Sequence, residues 1–413
     1  MVAIRPFQAL RYNPQLVDDL SRVIAPPYDV IDDDEQEQLY RTSPYNIVRL
    51  ILGKQYPNDT TEENRYTRAQ RDFMAWRDNR ILQPDPQPAV YLLEHVFRDA
   101  DGVERTRLGF IALLQFGEAI EQTAYRHEAT LAAPKEDRTR LLQAIPANLE
   151  PIFCIYPDEG GTLQTKLRTL ITQTAPAASA RLHDQAIRLW PVTAIDMVQT
   201  IARHLSSVSV LIADGHHRFE VAYANRTRYH AVMSYFVSMA EPSLVVRPIH
   251  RLVLKTDQAA RSKLEELCII EPVDDPAAVL RWLQEEGGGG RFGFRDRQQL
   301  YQVSVRPEPL ARWLMAPTVP LPLATLDVSI LHGLILPHLG LSQTSNGMAL
   351  RYTADAAEAV KAVSAGEAHS AWLLRGIPLA QVYALASAQL ALPPKSTFFY
   401  PKVPSGLTIN SFT

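Results

Sequence analysis

The chain has 413 residues, more than one hydrophobic core usually supports, so two or three domains are expected. Hydrophobic residues make up 46% and charged residues 21%, which excludes a disordered chain. Forty-two basic against 45 acidic side chains give a net charge of −3, which argues against the concentrated basic face that nucleic-acid and membrane-surface binders need.

In chain order, Met1 to Leu10 lacks an apolar core of signal-peptide length, and no stretch approaches a membrane span, so a cytoplasmic location is expected. Residues 2–7 read as a short extended run. Pro26 and Pro27, within Ile24-Ala25-Pro26-Pro27-Tyr28-Asp29-Val30, forbid helix and predict an extended loop. Asp32-Asp33-Asp34-Glu35 predicts the acidic opening of a helix. Over residues 62–82, Tyr66, Phe73, Trp76 and Leu82 recur at roughly helical spacing and predict an amphipathic helix. Gln83-Pro84-Asp85-Pro86-Gln87-Pro88 then predicts a linker.

Residues 89–98 and 105–116 predict a hairpin closed by Asp99-Ala100-Asp101-Gly102. A helix over 135–144, a buried strand over 151–156, and helices over 162–172 and 195–206 around a strand at 187–190 follow. The small and β-branched residues 208–213 predict a strand that ends in Asp214-Gly215-His216-His217-Arg218. A helical pattern covers 219–227, and an apolar strand 230–238. Further on, helices at 259–267 and 276–284 alternate with strands at 301–305 and 371–374. The four glycines 287–290 read as a flexible surface loop, since no Lys-Ser or Lys-Thr closes them into a phosphate loop. Lys395-Ser396-Thr397 lacks the preceding glycines of such a loop and reads as an ordered loop of no phosphate-binding kind. Cys154 and Cys268 stand far apart in apolar surroundings, which predicts buried small hydrophobes and excludes a disulfide scaffold. The expected class is mixed α/β, in three parts: 1–88, 89–250 and 251–413.

The chemistry concentrates in Asp214-Gly215-His216-His217-Arg218. A strand that ends in Asp-Gly and feeds a helix puts free backbone N–H groups and a positive dipole end at one spot, which suits phosphate. Gly215 lets the backbone approach a ligand, His216 and His217 add donors, and Arg218 has the fork for two parallel bonds to a phosphate. Asp214 is the odd member, because a carboxylate repels phosphate unless a cation or proton intervenes. It points to an indirectly held Mg²⁺ or to proton transfer. Adjacent histidines do not share a helical face as i and i+4 would, which counts against zinc.

Residues 208–218, taken with Arg126-His127-Glu128 and Asn148-Leu149-Glu150-Pro151-Ile152 upstream, resemble the ParB/sulfiredoxin-type domain. The matching parts are His127-Glu128, the helix over 137–144, Pro151-Ile152 and Gly215-His216-His217-Arg218. The Asp-Gly-His-His-Arg wording is similar to that of the free-serine kinases, which phosphorylate the amino acid from a nucleotide. From Ala25-Pro26-Pro27-Tyr28-Asp29-Val30 to Lys395-Ser396-Thr397-Phe398-Phe399-Tyr400-Pro401-Lys402, the chain also resembles the bacterial domain-of-unknown-function family 1015.

These resemblances imply a ParB/sulfiredoxin-like core, residues 89–250, with flanking N- and C-terminal α/β segments. They imply a phosphotransferase that uses ATP or ADP with Mg²⁺ and acts on free L-serine or a related hydroxy compound. Glu128 becomes the catalytic base and Asp214 its companion with Mg²⁺. Gly215, His216, His217 and Arg218 become the phosphate site, approached by Lys135 and Arg138. On the residues alone Glu128 reads equally as a solvated loop side chain, Asp137 as a helix cap and Glu220 as a rival base. ParB relatives imply an alternative: a nucleotide-binding and slowly hydrolysing switch that acts on a protein partner. A small-molecule substrate and a nucleotide are the implied partners, with no nucleic acid and no membrane. The chain departs from the short kinases in its long insertion between Pro157 and Val208.

Overall fold

Long runs of β-branched and aromatic residues pair into the sheets that carry this protein. The structure, a computed structural model, describes residues 1–99, 102–128, 132–254, 260–285, 287–316, 319–341 and 350–412. It comprises two units. The first is Met1–Arg126, Thr130–Val245 and Pro401–Thr413; the second is His127–Ala129 and Val246–Tyr400.

The first unit is built on a nine-stranded mixed sheet. Its strands are β1 (Ile4–Arg5), β2 (Val90–Arg98), β3 (Glu104–Gln115), β4 (Ala124–Arg126), β5 (Ile152–Tyr156), β6 (Ala178–Leu182), β7 (Gln185–Val192), β8 (Val210–Asp214) and β9 (Ala231–Ser238). They lie in the order β4-β8-β5-β9-β3-β2-β7-β6, with β1 added against β3. The expected hairpin forms with Arg98 opposite Glu104, and Gly102 takes a φ of 74°. Ala100 and Asp101 of its turn lie outside the described residues. β5 and β9 are buried along their whole length, as strands covered on both faces must be.

Two helices of the first unit start at side-chain caps that the sequence supplies. Asp32 accepts from Glu35 N–H to open α1 (Asp33–Thr42), and Asn64 with Thr67 forms a capping box on α2 (Arg65–Asp78). Along α2, Ala69, Phe73 and Trp76 are buried at the spacing of one helical face, whereas Leu82 belongs to a short strand, Leu82–Pro84. α3 (Ala132–Ala144), α4 (Thr162–Gln173), α5 (Ile195–Ser206) and α6 (His216–Ala224) follow.

The linker expected over residues 83–88 is not one. Leu82–Pro84 pairs with Leu10–Tyr12, and Asp85 is buried under a bidentate bond from Arg11 at 2.6–2.9 Å and a 2.8 Å bond from the Tyr91 hydroxyl. Residues 1–88 therefore do not stand apart. Leu10, Val23, Phe73, Trp76 and Leu82 share one core with Leu141, Ile145, Leu149 and Ile409. The two prolines at 26 and 27 keep Pro27 extended, after which Tyr28–Val30 closes a single 3₁₀ turn.

The second unit carries a six-stranded antiparallel sheet from His250–Val253, Cys268–Val273, Arg291–Arg295, Leu300–Val305, Leu350–Thr353 and Ser370–Leu373. The helices Pro276–Gln284 and Ala356–Ser364 cover it through Val279, Leu283, Ala359 and Val363. Ala259, expected to start the helix observed at Ala260–Leu267, lies outside the described residues. The glycines 287–290 are tied down, contrary to the loose loop expected of them. Gly290 N–H donates to Asp327 Oδ1 at 2.7 Å, Arg375 donates to the carbonyls of Gly287 and Gly288 at 3.3 Å, and a Cβ at 289 would collide with the Thr325 carbonyl oxygen.

The mixed α/β class expected from the sequence holds, and both cysteines are free and buried. No helix of the described residues is long and apolar enough to cross a membrane.

Candidate functional site

β8 runs fully buried from Val210 to Ala213 and delivers Asp214 to the sheet's end. Its pairing with β5 slips between Ile212 and Asp214, which leaves Ala213 as an extra residue. Such a bulge re-aims the side chain that follows it. Gly215 then caps α6 with φ 85° and ψ 30°, a left-handed conformation that a Cβ would strain. A Cβ there would also sit 3.0 Å from the Arg218 guanidinium, a tight contact that adds to the backbone strain. No side chain caps α6, whose first-turn N–H groups are the donors the sequence pattern pointed to.

Arg218 is held inward. Its Nη2 donates to Asp214 Oδ2 at 2.8 Å and its Nη1 to the Pro151 carbonyl at 2.6 Å, so the guanidinium ties the turn to the residue that precedes β5. The fork expected to grip a phosphate is engaged within the protein. The other oxygen of Asp214 accepts from the ammonium of Lys402, which also lies in the first unit. All three side chains are about seven-eighths buried. One carboxylate between two cations leaves the cluster with a net positive charge.

The neighbouring expectations divide. His216 is buried and His217 half-buried at the start of α6. Lys135 pairs with Glu220 Oε2 at 3.1 Å, and Arg126 stands 3.5 Å from Glu220 Oε1, so the rival base is held by two cations of its own. Arg138, expected to approach phosphates, is 6% exposed. It donates to the Ile51 carbonyl at 2.9 Å and to Asp137, lies 3.5 Å from Glu150 and stacks 3.8 Å from the Tyr28 ring. Asp137 thus serves side chains rather than a helix cap, accepting also from Arg65 and the Tyr66 hydroxyl. Glu150 Oε1 accepts from Tyr28 N–H and from the Ser405 hydroxyl, both at 3.1 Å. Burial pushes the Tyr28 hydroxyl up to about 12, against the lowering pull of Arg138 and Arg218. Arg138, Glu150 and Arg218 line a cavity of about 60 Å³.

Glu128 belongs to the second unit. Its Oε1 accepts from Ser396 N–H at 3.0 Å and Thr397 N–H at 3.3 Å, and His127 Nε2 lies 2.8 Å from the Thr397 hydroxyl. Lys395, at φ 59°, turns the chain so that two successive N–H groups converge on one carboxylate oxygen. The Lys395-Ser396-Thr397 turn is therefore an anion cradle, and its occupant is Glu128.

Mg²⁺ does not fit Asp214 in this arrangement, because both carboxylate oxygens already face cations. Among the described residues no group of three or more His, Cys, Asp or Glu side chains could hold a metal. Sequence reasoning assigned no role to Lys402 or Ser405. The available signal for Lys402 was a lone cation closing the aromatic run Phe398-Phe399-Tyr400-Pro401.

Residues 4–329 match the family described as "Protein of unknown function (DUF1015)". None of the curated proteins matches the chain. Among solved structures, a free serine kinase in complex with AMP is similar at 14% identity and a TM-score of 0.33, covering 67% of this chain and 83% of the kinase. A conserved hypothetical protein from Pyrococcus furiosus is similar at 12% identity and a TM-score of 0.36, covering 70% of this chain and 92% of the other. SbnI with a C-terminal truncation, from Staphylococcus aureus, is similar at 10% identity and a TM-score of 0.38, covering 73% and 87%.

Proposed function

The chain belongs to the DUF1015 family, and from that premise we propose that it binds a nucleotide at the Asp214–Arg218 turn and passes a phosphoryl group to a small hydroxy compound, free serine first among them. The observation that carries this reading is the turn itself. A bulged strand, a left-handed glycine, an uncapped helix N-terminus and a cation-rich cluster meet at one spot. Backbone N–H groups and positive charge at such a spot stabilise phosphate oxygens. The wording Asp-Gly-His-His-Arg, similar to that of the free-serine kinases, directs the choice of acceptor.

In this reading the first-turn N–H groups of α6 hold the phosphates, with Arg218 bracing the turn from within. Asp214 keeps the two cations in register. Glu128 is the proposed base for the acceptor hydroxyl, whose proton must leave as the phosphoryl group arrives. Mg²⁺, which commonly bridges nucleotide phosphates, has no role at Asp214 in this reading, because Arg218 and Lys402 hold both of its oxygens.

The test is product formation. The full chain with ATP or ADP and free serine should yield phosphoserine, read by mass, and omission of serine should leave only slow hydrolysis. Nucleotide consumed at one rate with and without serine or any related hydroxy compound would favour the switch that acts on a protein partner. No nucleotide binding at all would end both readings.

A further inference from the structure

The cation at Asp214 is built into the chain. Lys402 arrives on a segment pinned on both sides: Arg107 donates to the Pro401 carbonyl at 2.8 Å, and Ser405 exchanges backbone bonds with Ala25 at 2.8 and 3.2 Å. Its ammonium, with the side chain 13% exposed, donates to Asp214 Oδ1 while Arg218 holds Oδ2. A divalent ion at this carboxylate would have to displace one cation and stand beside the other. The next carboxylate along α6, Glu220, is itself held by Lys135 and Arg126. The local charge, one negative against two positive, already has the sign that a phosphate requires. A lysine is moreover a compact point charge well suited to phosphate oxygens.

We propose that Lys402 is the resident cation of this turn, taking at Asp214 the place expected of Mg²⁺, so that a phosphate-bearing ligand binds there without a divalent ion. The inference rests on the reading of the turn as a nucleotide site. Lys402 is a ligand-binding residue in it, and Asp214 positions the ammonium toward the first turn of α6.

ADP titrated calorimetrically into the full chain, once in excess EDTA and once in Mg²⁺, tests this. The wild-type affinity should agree between the two within about threefold, well under the tenfold that 1.4 kcal/mol represents. Lys402→Met in EDTA should weaken binding by roughly tenfold or more, the scale of one lost charge-assisted hydrogen bond. Lys402→Arg, which keeps the charge, should restore much of it. ADP binding that requires Mg²⁺ overturns the inference and leaves the nucleotide reading standing. So does undiminished binding by a folded Lys402→Met. No binding in either solution overturns both. The wild-type comparison decides the matter even where Lys402→Met does not fold.

Discussion

Arg218 spends both terminal nitrogens inside the protein, on Asp214 and on the Pro151 carbonyl, and that alters what its removal should do. Arg218→Ala should cost about 1.5–3 kcal/mol of stability, the range for hydrogen bonds to charged groups, because a largely buried acceptor loses its donor. Urea unfolding of the variant measures it; unchanged stability with lost ADP affinity would make Arg218 a direct phosphate clamp. Glu128 offers a cleaner chemical test. Glu128→Gln keeps an oxygen to accept from Ser396 and Thr397 N–H yet removes the negative charge that takes a proton. Phosphoserine formation should fall roughly 10²–10⁴-fold, the usual worth of acid–base catalysis. A wild-type rate from the folded variant would move the base elsewhere, with Asp214 next to be tested.

At the scale of elements, the four glycines of the second unit make opposite forecasts for neighbouring positions. Gly289→Ala places a methyl against the Thr325 carbonyl and should destabilise by about 1–3 kcal/mol. Gly288→Ala meets nothing within 4 Å, so it should stay within about 0.5 kcal/mol of wild type. Equal effects in chemical denaturation would contradict the packing described. That pair also shows what sequence reading reaches. Helices such as Ile195–Ser206 and Pro276–Gln284 are legible to the residue, because their period and flanking residues are local. The hairpin of β2 and β3 is legible for the same reason. A glycine run looks loose until the carbonyl packed on it is known, and Gln83–Pro88 looks like a linker until Arg11 reaches Asp85 from 74 residues away. At the candidate site, Asp214, Gly215 and Arg218 were legible as a turn. Lys402, 188 residues from Asp214, carried no local mark of its partner.

For the whole molecule, connectivity explains that last omission. The chain leaves the first unit after Val245 and re-enters it at Pro401, so Lys402 follows a long excursion through the second unit and is remote in sequence from Asp214. Both units also bury neutral histidines. Burial, helped by the nearby Arg107 charge, holds His95 down to about 3, and burial with the Arg251 charge holds His250 and His332 down to about 4. Each has a folded pKa below its unfolded value near 6.5, so the unfolded chain takes up the proton first. The stability these groups support is present above about pH 6.5 and is lost as pH falls toward 4, each at up to about 1.4 kcal/mol per pH unit. The unfolding midpoint should drop between pH 7 and pH 5, and a midpoint that holds or rises would count against buried neutral histidines. The central claim, that the Asp214–Arg218 turn is where a nucleotide binds, is tested most directly by amide hydrogen exchange with and without ADP. Saturating ADP should slow exchange in residues 214–219 and around Lys402, while the antiparallel sheet of the second unit stays unchanged. Calorimetrically proven binding with no added protection at 214–219 would contradict the account.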